Sequence, residues 1–257
     1  MTQAIALPIA RPALSLFATE PWRAAKEFFS LARMDSLVVP LGDGHPVIIF
    51  PGLAADGKSV APLRKHCKSL GFEAMDWGLG YNVPPKGDVE PYLLELARHT
   101  RALLEPYDQS ATLIGWSLGG LYAREVAKIL GPRVRQVITI GTPFNSGVDY
   151  TNVGWLYKIL TGADPKPDPV LVEKLRTPPS VPTLSIYSRN DGVVAWQTCR
   201  HDGTCDLAED VEIDGSHMGM GWNPEVLQIV GERLVKTSER DTVRGRSGRK
   251  ASRRSRR

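Results

Sequence analysis

Short apolar runs closed by glycine and proline set the rhythm of the chain. Val47–Phe50 is apolar throughout and is followed by Pro51-Gly52, the pattern of a buried strand ending in a tight turn. Phe72–Trp77, Ala111–Gly115, Val134–Ile140, Thr183–Tyr187 and Asp210–Ile213 are further strand candidates. Helical periodicity fills the intervals. Val60–Leu70 stops at Gly71. Pro91–Leu104 carries Pro91 in its first turn, where a missing N–H is harmless. Leu118–Leu130 ends at Gly131, and Pro224–Lys236 closes the body. Strands alternating with helices at this spacing predict an α/β fold, a mainly parallel central sheet with helices on both faces.

Two stretches depart from the rhythm. The interval of about 144–181, from Phe144 to Val181, holds Pro165, Pro167, Pro169, Pro178 and Pro179, with short helical patterns near Trp155–Leu160 and Val170–Leu175. A segment this long inside a compact domain reads as a small cap or lid insertion over one end of the sheet. Ahead of the sheet, Glu20–Met34 reads as an amphipathic helix. Trp22, Ala25, Phe29 and Ala32 fall on one face, with Phe28 and Leu31 beside it, and that apolar face is expected to pack on the body. The organisation is therefore an N-terminal extension (1–40), an α/β domain (41–236) and a tail (237–257), with no internal repeat.

Charge changes the picture at one end only. The 257 residues include 32 Lys+Arg and 28 Asp+Glu. Nine of the basic residues, and only Glu239 and Asp241 of the acids, lie in 237–257, so the body itself is mildly acidic. The tail is rich in Ser, Gly and Arg, lacks apolar periodicity and is expected to be disordered, with at most weak adhesion to anionic surfaces. Nothing in the body has the zinc-finger spacing or basic-aromatic interleaving of specific nucleic-acid recognition. No apolar run approaches the roughly 18 residues of a membrane span. Pro8 and Pro12 interrupt the weakly apolar start, whose first basic residue is Arg11, so no secretion signal is expected and a cytoplasmic location is favoured.

The chemistry centres on Gly115-Trp116-Ser117-Leu118-Gly119, a G-x-S-x-G pentapeptide between a strand and a helix. That setting holds a serine in a strained turn with its hydroxyl exposed at the sheet edge, and a side chain at either glycine would collide with neighbouring backbone. A serine hydroxyl needs a base to become a nucleophile. Of five histidines, His45 precedes the first strand, and His66 and His99 lie in helical patterns. His201 lies in a charged loop. His217 sits in Asp214-Gly215-Ser216-His217-Met218-Gly219, a loop at the end of a strand, and is the candidate base. Asp191, in Ser188-Arg189-Asn190-Asp191-Gly192, stands at the preceding strand's end and is the candidate acid, ahead of Asp202, Asp206 and Asp214.

The chain order Ser117, Asp191, His217 resembles that of the α/β-hydrolase family, over about Val47 to Lys236. The likeness is nearest to bacterial lipases and carboxylesterases with a single glycine turn in the oxyanion loop. It implies an α/β-hydrolase fold and backbone N–H donors for an oxyanion at Leu53 and Leu118. Phe50-Pro51-Gly52-Leu53 departs from the family's frequent His-Gly, which a backbone donor tolerates. It further implies ester cleavage through an acyl-enzyme on Ser117, of a small-molecule ester with a hydrophobic acyl group, without metal or other cofactor. Acyl transfer and thioester cleavage use the same intermediate, and a silent member would bind a hydrophobic ligand. Trp116, Phe144, Trp155 and Met218 are candidates to line the substrate pocket. Cys199 and Cys205 form either a local disulfide or two free thiols, and zinc on Cys199, His201, Asp202 and Cys205 would crowd four ligands into one loop. Oligomeric state has no signature in the sequence.

Overall fold

A computed structural model describes residues 9–32, 42–86, 88–145, 169–201, 203 and 205–238. The elements run α1 (Leu14–Leu31), β1 (Pro46–Phe50), α2 (Ala61–Ser69), β2 (Glu73–Asp76), α3 (Val89–Leu103), β3 (Ala111–Trp116), α4 (Leu118–Leu130), β4 (Val134–Ile140), α5 (Pro169–Arg176), β5 (Thr183–Tyr187), β6 (Ala208–Glu212) and α6 (224–238). Six strands form one sheet in the order β2-β1-β3-β4-β5-β6, and every adjacent pair is parallel.

The alternation within each strand explains why both faces are covered. Ile48 and Phe50 of β1 pack with Leu113, Trp77 and the inner faces of α3 and α4. Val47 and Ile49 point the other way, onto Leu63 and Cys67 of α2 and Val226, Val230 and Leu234 of α6. A parallel strand buried on both faces reads as a nearly continuous apolar run, which is how β1 and β3 read. In α3, Asp88 caps the N-terminus by accepting from the Glu90 N–H, and Pro91 follows within the first turn. The chain turns back between β1 and β3, so the loops after these strands diverge and leave a crevice at their C-terminal ends.

Of the expected insertion, 144–145, α5 and the segment after it to 181 are described, while 146–168, and with it Trp155–Leu160, lies outside the described residues. The tail from 239 onward also lies outside them, and α6 continues to its last described residue, 238. No described helix is long and apolar enough to cross a membrane.

The N-terminal helix differs from its sequence expectation in extent and in orientation. It begins at Leu14, takes Pro21 within its length and ends at Leu31. Its aromatic stripe faces away from the body: Trp22 is 78% exposed and Phe29 74%. The face against the body carries Ala24 and the carboxylate of Glu20 instead. The physical reason is a demand for hydrogen-bond acceptors beneath the helix, which apolar side chains cannot meet.

These burials predict opposite outcomes for two apolar truncations. Trp22→Ser is expected to leave stability within about 0.5 kcal/mol of the parent. Leu113→Ala, in a strand buried on both faces, should cost about 2–5 kcal/mol. Urea melts of the two variants measure both.

Candidate active site

Ser117 occupies the first turn between β3 and α4 with φ 54° and ψ −122°. A non-glycine residue there stores strain, held because the surroundings leave no alternative. Its N–H donates to the Ile140 carbonyl at 2.8 Å, tying the turn to β4. A Cβ at Gly115 would land on the Gly120 backbone, and one at Gly119 would land on the carbonyls of Phe50 and Pro51. These glycines let α4 descend directly from β3 against β1, which leaves the serine at the sheet's edge beside a helix N-terminus that favours negative charge.

Two loops bring partners to that serine. His217 Nε2 lies 3.0 Å from Ser117 Oγ, and His217 Nδ1 lies 2.6 Å from Asp191 Oδ2. Asp191, after β5, is 3% exposed, and its Oδ1 accepts from the N–H groups of Val193 (2.8 Å) and Val194 (2.6 Å). The carboxylate is thus aimed by its own loop. Because a carboxylate only accepts, Nδ1 carries the proton and Nε2 is left to accept from the serine. Burial alone would push the His217 imidazole toward neutrality. The charge and hydrogen bond of Asp191, with the charge of Glu20, outweigh it and raise its pKa above the usual imidazole value.

The loop after β1 stands against the same serine. A Cβ at Gly52 would lie 3.5 Å from Ser117 Cβ, Leu53 is the next residue of this loop, and Leu118 begins α4 directly after the serine. Asn82, fully buried, holds this loop. Its Nδ2 donates to the Pro51 carbonyl at 2.7 Å, its carbonyl accepts from the Ala54 N–H at 2.8 Å, and its N–H donates to the Ala55 carbonyl at 2.8 Å.

The candidate pocket residues separate. Trp116 packs in the core beside His217, with its Nε1 donating to the His217 carbonyl at 3.2 Å. Met218, which follows His217, is 43% exposed. Phe144 is buried elsewhere, its ring 3.9 Å beneath the Arg124 guanidinium and 4.5 Å from the His201 ring. Trp155 lies outside the described residues. Cys199 and Cys205 are both free thiols.

Two other histidines also pair with aspartates. His45 bridges Asp43 (2.6 Å) and Thr112 (2.9 Å) in the same acid–imidazole–hydroxyl order, but it is wholly buried where β1 begins, at the opposite end of the sheet. His201 takes Asp210 at 2.6 Å and presents its second nitrogen to Arg124 at 3.1 Å, which leaves no lone pair for a hydroxyl proton.

Sequence reasoning missed Glu20, Glu27 and Asn82. Glu20 accepts from the backbone N–H of His217, 197 positions away, at 3.0 Å. A glutamate in an amphipathic helix carries no local sign of such a partner. Asn82, too, carries no local sign that it holds the loop after β1.

No protein-family model matches the chain. Over 103 residues it is 27% identical to the pimeloyl-[acyl-carrier protein] methyl ester esterase of Shewanella woodyi, a stretch that is 40% of this chain and 38% of that relative. The chain thus matches well under half of that curated relative's length. Among solved structures, the Aspergillus fumigatus lipase B superposes with a TM-score of 0.58 at 19% identity, over 78% of this chain and 55% of that one. The Bacillus licheniformis lipase BlEst2 gives 0.57 at 17% identity, over 77% and 94%. The Paleococcus ferrophilus monoacylglycerol lipase gives 0.56 at 14%, over 75% and 95%. At such identities the likeness is one of architecture, and the architecture this chain has is the α/β-hydrolase fold.

Proposed function

We propose that the protein is a serine hydrolase of carboxylic esters, with Ser117 as nucleophile, His217 as general base and Asp191 as the acid that orients it. The observation that carries this reading is the continuous row from Ser117 Oγ through His217 to Asp191, starting at a strained strand–helix turn. The lipases and the esterase to which the chain is similar support the same class of substrate.

In the proposed reaction, Ser117 Oγ attacks the ester carbonyl carbon while its proton passes to His217 Nε2. Asp191 stabilises the imidazolium that forms. The N–H groups of Leu53 and Leu118 receive the oxyanion, each such donor being worth about 3 kcal/mol of barrier. His217 then protonates the departing alcohol. Water, deprotonated by the same histidine, attacks the acyl carbon and frees Ser117. Met218, exposed beside His217 in the chain, supports an apolar ester, while Trp116 holds the His217 carbonyl from the core.

Hydrolysis of p-nitrophenyl esters from acetate to palmitate tests the reading. Ser117→Ala is expected to lose kcat on the order of 10⁶-fold and to lose labelling by a fluorophosphonate. Equal rates for the parent and this variant on every ester would overturn the proposal. Asp191→Asn, which reverses the tautomer preference of His217, should lower kcat on the order of 10⁴-fold. The base must be neutral to accept the serine's proton, and its pKa is raised. The acid limb of kcat/KM is therefore expected at a pH above the ordinary imidazole value of 6.5.

A further inference from the structure

Beneath the base lies a carboxylate that the proposed mechanism does not use. Glu20 of α1 is 1% exposed. Its Oε1 accepts from the Gly192 N–H (2.8 Å) and the His217 N–H (3.0 Å), and its Oε2 accepts from the Met218 N–H (2.9 Å). Gly192 follows the acid of the row, and Met218 follows the base. One side chain thus holds the loop after β5 and the loop after β6 at a set separation. Arg23, on the same helix, pairs with Glu20 at 2.7 Å and donates to the Asn190 carbonyl at 2.6 Å. Two helical turns after Glu20, on the same face, Glu27 accepts from the Ser216 N–H at 2.7 Å and from Asn223 at 3.3 Å.

The loops are shaped for this helix. A Cβ at Gly192 would come within 2.6 Å of the Leu16 backbone, and one at Gly219 would land on the Glu27 carboxylate. Burying a carboxylate is costly unless donors replace its water, and packing alone would be met by an apolar side chain. Glu20 has three backbone donors and a guanidinium.

We propose that Glu20 is a positioning residue for Asp191 and His217, with α1 acting as a strut whose buried carboxylate locks the two loops that carry them. The catalytic half of this inference rests on the ester-hydrolase reading. The charged groups that act on His217 are Asp191 from the loop after β5 and Glu20, with its partner Arg23, from α1; Glu27 of α1 holds the neighbouring Ser216 N–H, and the Cys199 thiol stands near Asp191. Glu20 and Asp191 both favour the protonated imidazole. Neutralising Glu20 therefore lowers the His217 pKa, and shortening Glu20 loosens the loops without removing the charge.

Two variants separate these effects. Glu20→Gln is expected to lower plateau kcat roughly ten- to a hundredfold with little change in KM, and to move the acid limb to lower pH. Glu20→Asp keeps the charge but is one methylene too short to reach both loops. It should lose kcat similarly while its acid limb stays near the parent's. NMR titration of the His217 ring in a Ser117→Ala background reads the same shift without any turnover. Thermal melts establish that each variant is folded. An unchanged plateau kcat in folded Glu20→Asp, or an unchanged His217 titration in folded Glu20→Gln, would overturn the inference. If Glu20→Gln does not fold, Glu20→Asp alone decides. A parent chain inactive on all esters refutes the hydrolase reading instead, while the ring titration still decides whether Glu20 acts on His217.

Discussion

Everything at the candidate site depends on a single backbone residue held where it does not want to be. Ser117 sits at φ 54°, a conformation that costs on the order of 1–3 kcal/mol for a residue with a side chain. The sheet enforces it from three sides. β4 accepts the serine's N–H, the β1 carbonyls press against Gly119, and Gly115 has no Cβ to push α4 away. Relaxing the turn would require moving a helix that is buried along nearly its whole length. The strain is therefore carried by the core, and it points a hydroxyl out of the sheet's C-terminal edge, toward loops that arrive from β1, β5 and β6.

Those loops are irregular backbone, and each is stapled by buried polar side chains, some of them from distant parts of the chain. Asn82 staples the loop after β1, through the Pro51 carbonyl. Asp191 ties down its own loop through two N–H groups. Glu20 joins that loop to the one carrying His217. The pattern has a common cause. Loop N–H and C=O groups beneath a site cannot all reach water, so each needs a partner supplied by the fold. The partner that satisfies them also sets where the functional side chain stands. The same rule explains why an acid–imidazole–hydroxyl row is not by itself diagnostic. Asp43, His45 and Thr112 make one at the far end of the sheet, where it braces the start of β1 and its imidazole and hydroxyl meet no solvent.

Most of the architecture was legible in the chain because its signals are local. Leu118–Leu130, Val134–Ile140 and Thr183–Tyr187 have the bounds expected from apolar runs and flanking Gly or Pro. β6 was located two residues late because Ala208-Glu209-Asp210 is polar enough for a strand at the sheet's edge, where only one side pairs. The chain order put Asp191 and His217 forward, and the fold brings both side chains to Ser117. Phe144 was a reasonable pocket residue by position alone, yet a buried guanidinium in α4 claims its ring. Cys199 and Cys205 left two readings open in sequence, and the structure leaves both as thiols.

By itself, then, the sequence determined the alternation of strand and helix, the parallel sheet covered on both faces, and the glycine-flanked turn that strains Ser117. Each of these follows from residues within a few positions of one another. The tertiary structure alone decided which face of α1 turns inward. Periodicity identifies a helix's apolar stripe, and burial normally follows it. Here the surface beneath the helix is a row of N–H donors from loops some 170 to 200 positions away, and an acceptor must meet them, which no apolar side chain can be. Glu20 is drawn in and Trp22 is left outside because an unsatisfied buried N–H is more costly than an exposed indole.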